Sequence, residues 1–502
     1  MGLLTLVGRT LLGRRKKSIS SLSQYSLKFQ HNIREKLVYK ASKTEYGKKH
    51  SFNSINSYVK FSKKIPVVDY EDFFPQIRQA LSGRENIIWP GKICWFAKSS
   101  GTTNDKSKYI PVSEESLRIN HFRSGKDLLA SYIINNKKTK LFDGLSLALG
   151  GSRQITPYKN NKIFTGDISA VLLRNLPIWA QKLRTPNLEV AMMPEWEEKI
   201  EKMAKITSNQ NVTSLSGVPT WTIVLIKEVL KQTGKNNILE VWPNLELFIH
   251  GAVSFVPYRK LFQELIPSSE MNYLETYNAS EGFFGFQNDL SSKDMLLLTN
   301  HGVFYEFEDT KTKEICDLRR VEINKNYALI ISTFSGLWRY RIGDTILFTS
   351  TSPYKILISG RTQHFINAFG EEVIVKNSDQ AIANACEVCN ASFYNYSAGP
   401  IYITEKNRGG HEWIIEFINP PSNKQYFINS LDEELKKINS DYEAKRHKDI
   451  ALKKPKVHFA KRGFFDHWLK KRNKLGGQNK VPRLSNDRKY LDEMLNMIKD
   501  FQ

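Results

Sequence analysis

Strand-like and helix-like segments alternate along residues 90 to 360, and this alternation constrains the fold more than any other feature of the sequence. The segment "NVTSLSGVPTWTIVLIKEVLKQTG" predicts a strand, a turn and a helix that ends at Gly234. Short apolar runs bounded by turn residues predict further strands in "NLELFIHGAVSF", "GVFYEFED", "NYALIIST", "LWRYRIGDTILFTS" and "YKILISGR". The alternation predicts a large α/β domain.

The first 90 residues are predicted to be helical and basic. In "MGLLTLVGRTLLGRRKK" the apolar part precedes the basic cluster, which is not the order of a signal peptide. Association of this segment with a membrane surface is an alternative to packing on the protein body. No run of about 18 apolar residues occurs, so no transmembrane helix is expected. A packed N-terminal helix would bury Leu3, Leu4, Leu6, Val7 and Leu11.

The chain changes character at "RTQHFINAFGEEVIVKNSDQ", and we place a domain boundary there. Residues 1–368 form the predicted large domain, and residues 369–502 form a smaller α+β domain of ordinary domain size. The smaller domain is expected to contain a helix from about residue 378 and a charged helix from about 428 to 446. Its strands are predicted in "FYNYSAG", "IYITE" and "EWIIEFI".

The chain of 502 residues carries a formal net charge of +23, which favours anionic partners without choosing among them. Four cysteines are too few for a disulfide scaffold and fit a reducing compartment, so we expect a cytoplasmic protein. Cys386 and Cys389 form a C-x-x-C pair on a predicted helix. A zinc site would need two more ligands, so buried thiols are the prediction, with a metal or redox role as the alternative.

The segment "WFAKSSGTTNDKSKYIPV", residues 95–112, places hydroxyl groups and a glycine between two predicted strands. Backbone N–H groups and hydroxyls around a glycine can bind the β- and γ-phosphates of a nucleotide, and Lys108 can add a positive charge. Neither G-x-x-x-x-G-K-[ST] nor G-x-G-x-x-G occurs in the chain. Taken alone, a cluster of Ser, Thr and Gly is more often a solvated loop.

Three later segments make a nucleotide site more specific. "HGAVSF" ends a strand in small residues, where the backbone could lie against a flat ring. "ETYNASEGFFGF" supplies the aromatic face of Tyr277, the hydroxyl of Ser280 and the carboxylate of Glu281, a hard ligand suited to magnesium. "WRYRIGD" supplies Asp344, which could accept hydrogen bonds from two ribose hydroxyls. Each segment has an ordinary explanation when it is considered alone: a strand end, a turn and a capping aspartate. Their occurrence together and in this order indicates a nucleotide site.

The order "SSGTT", "YNASEG", "YRIGD" resembles the three nucleotide motifs of the acyl acid–amido synthetases, the auxin-responsive promoter family, and most of all its bacterial members. That family belongs to the firefly-luciferase-like adenylate-forming superfamily. The resemblance extends over almost the whole chain, through "GVPTW", "GRTQHFINAFGEE" and "LGGQNKVPRLSNDR". It implies a large N-terminal adenylate-forming domain with mixed β-sheets and helices, and a smaller mobile α+β C-terminal domain.

The resemblance also implies a role for each matching residue. Lys480 corresponds to the mobile catalytic lysine of the small domain, and Glu281 is implied to act in catalysis and to bind magnesium. The chain departs from the superfamily at Asp105, where a second glycine is usual. The residues implied to bind ATP are Ser99, Ser100, Thr102, Thr103 and Lys108 at the phosphates, Gly251, Ala252, Val253, Thr276 and Tyr277 near adenine, Ser280 near the α-phosphate, and Asp344 and Arg361 at the ribose.

The implied activity is ATP-dependent activation of a small carboxylic acid as an acyl-adenylate, followed by transfer to the amine of an amino acid. An acyl-CoA ligase with a thiol acceptor is the nearest alternative, and a non-catalytic basic nucleotide- or nucleic-acid-binding protein is another. The segment "KRGFFDHWLKKRNK" interleaves aromatic and basic residues as nucleic-acid surfaces do, although a solvated charged face is the ordinary explanation. No nucleic-acid partner is expected, and the oligomeric state is left open.

Overall fold

The computed structural model of the chain describes residues 3–100, 107–150, 156–157, 163–193, 195–253, 255–361, 365–404, 408–447, 451–472 and 481–501. As predicted, the segment before the first strand is helical. Its last helix begins after Asp69 and carries Glu71 and Asp72 in its first turn, where acidic residues favour a helix start. The helices are α1 (Leu3–Gly13), α2 (Lys16–Ala41), α3 (Glu45–Lys49), α4 (Tyr58–Lys64) and α5 (Tyr70–Leu81).

Helix α1 turns an apolar face to solvent, so the prediction that this face packs on the body is wrong for the side chains that the structure describes. The exposed fractions are 50% for Leu6, 47% for Val7 and 58% for Leu11. The opposite face is held by polar contacts. The Thr5 hydroxyl donates to Asp143 at 2.7 Å, and the Arg9 guanidinium donates to two carbonyl oxygens at residues 136 and 137. These contacts decide which face of the helix meets the protein.

Strands and helices alternate through the central part of the chain, as predicted. Helix α12 starts with Pro219 at its first turn and ends at Gly234, whose φ of 67° is the left-handed conformation that glycine adopts easily. The elements are β1 (Trp95–Ser100), β2 (Ser107–Val112), α6 (Glu114–Ser116), α7 (Phe122–Asn135), β3 (Leu145–Ala148), β4 (Thr156–Pro157), β5 (Phe164–Gly166), α8 (Ile168–Arg174), α9 (Ile178–Lys182), β6 (Arg184–Thr185), α10 (Leu188–Ala191), α11 (Trp196–Thr207), β7 (Val212–Gly217), α12 (Pro219–Thr233), β8 (Leu247–Gly251), α13 (Arg259–Leu265), β9 (Asn272–Ala279), β10 (Gly282–Phe286), β11 (Met295–Leu297), β12 (Val303–Asp309), β13 (Ile315–Asp317), β14 (Asn326–Thr333), β15 (Tyr340–Thr351) and β16 (Tyr354–Arg361).

Most of these strands form one large mixed sheet, so the predicted α/β class is confirmed. Within the described residues its order is β13-β12-β14-β15-β16-β11-β10-β9-β8-β7-β3-β6. The strands β3, β6, β7, β8 and β9 are parallel, and the remaining neighbours pair antiparallel. A second sheet has the order β2-β1-β5-β4. The carboxyl ends of parallel strands are the usual place for a ligand in an α/β sheet.

The C-terminal part combines helices with a three-stranded sheet of order β19-β20-β21, which agrees with the predicted α+β class. The predicted charged helix 428–446 is two helices, because the Asn439 side chain accepts from the N–H groups of Asp441 and Tyr442 and starts a new helix. The elements are β17 (Phe365–Ile366), β18 (Val373–Ile374), α14 (Val375–Val388), β19 (Ser392–Ile401), β20 (Gly410–Asn419), α15 (Lys424–Ile438), α16 (Ser440–Arg446), β21 (Lys456–Ala460), α17 (Phe464–Lys471) and α18 (Lys489–Asp500).

One apolar cluster connects the helices on the large sheet with the C-terminal elements. It joins Trp242 and Tyr258 to Phe369 and Trp413, all with less than 2% of their surface exposed. Cys386 is buried and Cys389 is half-buried, so the prediction of two buried thiols holds only for the first.

The basic C-terminal segment is organised as a helix with one apolar face. The aromatic residues Phe464, Phe465 and Trp468 are buried in a separate apolar cluster, so they offer no surface for stacking bases. Among the helices of the described residues, none is both long enough and apolar enough to cross a bilayer.

Candidate active site

A cavity of about 790 Å³ opens at the carboxyl ends of β8 and β9, a volume within the range of small-molecule sites. Its lining residues fall into two groups. The first group, the sheet wall, lies on strands of the large sheet or in the connections that directly follow them, and comprises Ala252, Val253, Tyr277, Ser280, Glu281 and Asp344. The second group, the C-terminal wall, comprises Asn367, Glu372, Ile374 and Asn486.

The two strands on either side of the predicted phosphate loop pair antiparallel and reach the cavity. Ser99 on β1 pairs with Lys108 on β2, and both residues line the cavity. The Lys108 ammonium lies 5.6 Å from the centre of the Tyr70 ring, and the Tyr70 hydroxyl accepts from the N–H of Tyr109 at 2.8 Å. These contacts hold Lys108 at the rim. Thr102, Thr103 and the side chain of Ser100 lie outside the described residues.

The residues that follow β8, Ala252 and Val253 of "HGAVSF", line the cavity. A Cβ at Gly251 would lie 2.6 Å from the carbonyl oxygen of Thr276 on β9, so only glycine allows the two strands to approach this closely. Ala252 follows with a φ of 69°, a conformation rare for a residue with a side chain. The Thr276 hydroxyl donates to the carbonyl oxygen of His250 at 3.0 Å and fixes this turn.

Tyr277 and Asp344, which the sequence treats as separate ligands, are joined directly. The Tyr277 hydroxyl donates to Asp344 Oδ2 at 2.7 Å, and the Tyr277 ring packs edge-on against Phe284 at 5.0 Å. Asp344 on β15 pairs with Arg361 on β16, although the Arg361 side chain lies outside the described residues. The hydroxyl therefore orients one carboxylate oxygen of Asp344 before any ligand arrives.

Ser280 and Glu281 form the tip of the β9–β10 hairpin, because Ala279 pairs with Gly282 and leaves only two residues between the strands. Burial raises the pKa of the Glu281 carboxyl to about 7, the positive charge of Lys108 opposes this shift, and the carboxylates of Asp344 and Glu372 add to it. A cation bound at the hairpin tip would therefore stabilise the ionised form of the Glu281 carboxylate.

The residues of the C-terminal wall were not identified from the sequence as site residues. The Asn367 amide donates to the carbonyl oxygen of Ala252 at 3.2 Å, and the Asn367 N–H donates to Asn486 Oδ1 at 2.6 Å. Asn367 Oδ1 also accepts from the N–H of Glu372 at 3.3 Å. Both asparagines lie in segments that carry the family resemblance, "FINAFGEE" and "RLSNDR", which was the available signal. Lys480 and Asp105 lie outside the described residues.

Magnesium is implied by the resemblance, and the residues at the hairpin tip fit it. No group of three His, Cys, Asp or Glu side chains able to hold a metal occurs within the described parts of the chain. Magnesium, however, usually takes one or two carboxylates and completes its shell with phosphate oxygens and water. Glu281 supplies one buried carboxylate on the cavity wall, which is the donor type that such a site requires.

Family models match the chain in three successive stretches. The GH3 family N-terminal domain matches residues 15–271, the GH3 family central domain residues 296–361, and the GH3 family C-terminal domain residues 376–489. The first match alone covers half of the chain. The resemblance drawn from the motifs is therefore confirmed.

Two curated relatives come from Arabidopsis thaliana. Indole-3-acetic acid-amido synthetase GH3.3 is 21% identical over 532 residues, which cover 90% of this chain and 88% of that protein. The 4-substituted benzoates-glutamate ligase GH3.12 is 22% identical over 400 residues, which cover 66% of this chain and 68% of that protein.

Solved structures share the fold at low sequence identity. The acyl acid amido synthetase AtGH3.15 in complex with 2,4-DB is 17% identical with a TM-score of 0.64, and the match covers 98% of this chain and 96% of that one. A 2-hydroxyisobutyryl-CoA ligase in complex with 2-HIB-AMP and CoA is 14% identical with a TM-score of 0.56, covering 97% and 93%. These likenesses confirm the fold class.

Proposed function

The chain belongs to the GH3 family, and we propose that it is an ATP-dependent ligase that joins a small carboxylic acid to the amine of an amino acid. The proposal rests on one observation: Asp344, Glu281 and Lys108 line the same cavity, and the Tyr277 hydroxyl orients Asp344. Two relatives, matched over 88% and 68% of their own lengths, are named as an acid-amido synthetase and a benzoates-glutamate ligase, which supports an amine as the acceptor.

We assign the nucleotide an orientation along the sheet wall. Adenine lies against the backbone of residues 251–253, of which Ala252 and Val253 line the cavity. The ribose hydroxyls donate to Asp344. The phosphates extend toward Lys108 and the hydroxyls of Ser99, Ser100, Thr102 and Thr103, with Ser280 beside the α-phosphate. Arg361 completes the ribose site.

Glu281 would hold magnesium beside the phosphates. When bound there, the ion neutralises the phosphate charge that otherwise repels an approaching carboxylate. Lys108 adds a second positive charge from β2. In the resting protein the Glu281 pKa is about 7, so this carboxylate is partly protonated near neutral pH and ionises fully when a positive charge is near.

Two steps follow. An acyl carboxylate oxygen attacks the α-phosphorus of ATP; the bond to the bridging oxygen breaks, and pyrophosphate leaves with the electron pair. The amine of an amino acid then attacks the acyl carbon, loses a proton, and AMP leaves. We assign to Lys480 the stabilisation of the negative charge that develops during the first step. It would come from the small domain, residues 369–502, moving relative to residues 1–368, which also excludes water.

A thiol acceptor is the alternative that the fold alone leaves open, because the CoA ligase neighbour shares it. Pyrophosphate release is measured with a panel of small carboxylic acids, each alone, with amino acids, and with CoA. The proposal predicts acid-dependent release and an amide product detected by mass spectrometry. A thioester in place of the amide would assign the thiol alternative, and no release with any acid would leave only nucleotide binding. We expect the reaction in the cytoplasm, since all four cysteines are free.

A further inference from the structure

A π-helical turn, Leu117–His121, lies between α6 and α7, directly behind the β9–β10 hairpin. Such turns are rare and occur frequently at functional sites. Its last two residues are polar and almost fully buried, with 1% of Asn120 and 4% of His121 exposed. Neither residue lines the cavity, so neither is expected to contact a ligand.

Asn120 holds one strand of the hairpin. Its Oδ1 accepts from the N–H of Phe283 at 2.7 Å, and its Nδ2 donates to the carbonyl oxygens of Phe283 at 3.0 Å and His301 at 2.8 Å. Asn120 therefore satisfies both backbone groups of one residue on β10. The register of β9 and β10 shifts immediately after Phe283, so the clamp lies where strand pairing is irregular.

His121 faces the other strand. Its ring lies beside the side chain of Asn278, which is the direct cross-strand partner of Phe283 and lines the cavity, although His121 Nδ1 and Asn278 Oδ1 make no hydrogen bond within the described residues. Burial lowers the pKa of His121 to about 4, so the ring is neutral near pH 7. Consecutive residues of one π-helical turn thus lie beside opposite members of one cross-strand pair, and Asn120 is the one that forms hydrogen bonds to it.

The engaged pair lies close behind the hairpin tip. Ala279 and Gly282 form the next pair, and Ser280 and Glu281 follow at the tip. A Cβ at Gly282 would lie 3.2 Å from Asn120 Oδ1 and 2.9 Å from the Phe284 ring, so glycine permits this close approach. Because the connection has only two residues, a tilt of the strand pair at Phe283 and Asn278 moves the tip.

We propose that Asn120 and His121 are positioning residues that set the direction of the Ser280–Glu281 tip toward the bound nucleotide. The inference rests on the proposed function, since that function assigns the tip to magnesium and the α-phosphate. A purely structural role is the competing explanation, because a buried asparagine with three hydrogen bonds also stabilises the fold.

The test compares Asn120→Ala and His121→Phe with Leu37→Ala. The phenylalanine keeps the ring and removes its nitrogens, and Leu37 is a fully buried residue of α2 that has no polar contact with the hairpin. Thermal unfolding identifies a temperature at which each variant is folded. At that temperature the pyrophosphate-exchange kcat of Asn120→Ala should fall about 10–100-fold with a smaller change in the KM for ATP, as misplacement of a reacting group by about 1 Å does. Leu37→Ala should keep its kcat.

A second readout needs no acyl substrate. Calorimetry measures ATP affinity with magnesium and with a chelator, and the ratio reports the contribution of the metal. In the otherwise wild-type protein, Asn120→Ala should remove most of the magnesium-dependent gain in ATP affinity. In the Glu281→Gln protein it should cause no further loss of that gain, because the magnesium effect of positioning acts through Glu281. His121→Phe tests the same expectation if Asn120→Ala does not fold.

The outcomes separate the two ideas. The proposed ligase activity would be refuted if the wild-type protein bound ATP with a magnesium-dependent affinity but activated no acid. The affinities of the single and double variants would still test the positioning role in that case. Effects of Asn120→Ala that add to those of Glu281→Gln, or a kcat equal to that of Leu37→Ala, would overturn the positioning role. Wild-type protein without any affinity for ATP would overturn both.

Discussion

The two walls of the cavity are built in different ways. The sheet wall stands on paired strands, and its Tyr277 is only 4% exposed with its hydroxyl already bound to Asp344. The C-terminal wall consists of Ile374 on the short strand β18 and of three residues outside helices and strands, and Asn367 connects it to the sheet wall through the carbonyl oxygen of Ala252. The comparison teaches that strand pairing and a side-chain hydrogen bond fix the surface assigned to the nucleotide, whereas the C-terminal wall depends on a few polar contacts.

A buried carboxylate, that of Glu371, stabilises the C-terminal wall. Glu371 accepts from the N–H groups of Ala368 at 3.2 Å and Phe369 at 2.6 Å, and from His411 at 2.9 Å. The Glu371 and His411 side chains have no exposed surface. The Tyr258 hydroxyl adds a link by donating to the carbonyl oxygen of Ala368 at 2.6 Å. One side chain therefore shapes the turn from which Asn367 and Glu372 project.

Glu371→Ala is expected to have the largest effect, because it leaves buried donors without an acceptor. Removing one partner of such a buried pair costs about 3–5 kcal/mol of unfolding free energy. Denaturant unfolding measures the loss, and hydrogen exchange should place it in residues 365–447. The exposed Glu387 on α14 provides the control Glu387→Ala. A loss below about 0.5 kcal/mol, as for an ordinary surface substitution, would show that the C-terminal wall does not depend on this carboxylate.

Lys480→Ala tests the chemical contribution assigned to the smaller domain. Loss of a charge that stabilises a developing anion costs about 10²–10³ in rate, or roughly 3–4 kcal/mol, while the sheet wall still binds ATP. Pyrophosphate exchange against ATP concentration should therefore show a fall in kcat with little change in KM. Lys489→Ala, on the exposed start of α18, removes an equal charge as a control. Equal effects on kcat and KM would remove Lys480 from the first step.

Glu281→Gln tests the electrostatics of the sheet wall through the pH dependence of stability. The pKa of Glu281 is raised from 4.5 to about 7 in the folded protein, so between these values the folded state binds a proton that the unfolded state has lost. Wild-type stability should fall as the pH rises through this window, by about 3 kcal/mol at most, and the glutamine variant should lack that fall. Denaturant unfolding at pH 5 and pH 7.5 in chelator measures the difference, with the exposed Glu264→Gln as control. Parallel pH profiles would contradict the assignment.

Asp344→Ala and Tyr277→Phe test whether the sheet wall is preorganised for ATP. These two variants should have the smallest effects. A hydrogen bond to a carboxylate contributes about 1.5–3 kcal/mol, so Asp344→Ala should raise the KM for ATP with little change in kcat. Tyr277→Phe leaves the carboxylate but removes the hydroxyl that orients it, and should cost about 0.5–1.5 kcal/mol in the same parameter. Steady-state kinetics on both variants and on the double variant checks the order. A larger effect for Tyr277→Phe than for Asp344→Ala would refute the assigned roles.

The sheet wall could be predicted because each of its motifs is local. Strand periodicity places Gly251 at the end of β8 and Tyr277 on β9, and the two strands pair in parallel as neighbours in the fold. Glu281 follows within four residues of Tyr277, and a two-residue hairpin connection forces it to the tip. The residue types and their spacing therefore indicated a nucleotide site before their distances were known.

The C-terminal wall could not be predicted in the same way. Asn367 and Asn486 lie 119 positions apart and meet only because the apolar cluster around Phe369 and Trp413 packs the C-terminal elements on the helices of the large sheet. An isolated asparagine carries no periodic signal. The bond from Tyr277 to Asp344 was missed for the same reason, since it spans 67 positions between strands that are not neighbours in the sheet.

By itself the sequence determined the α/β class, the family and the positions of most residues of the sheet wall, because apolar periodicity and short motifs act over a few residues. Tertiary structure decided the direction in which each element faces. Leu6, Val7 and Leu11 form the apolar face of a helix, yet polar contacts by Thr5 and Arg9 turn that face to solvent. Asn120 carries no signal in the sequence, yet it holds the hairpin, because long-range hydrogen bonds depend on which surfaces pack together.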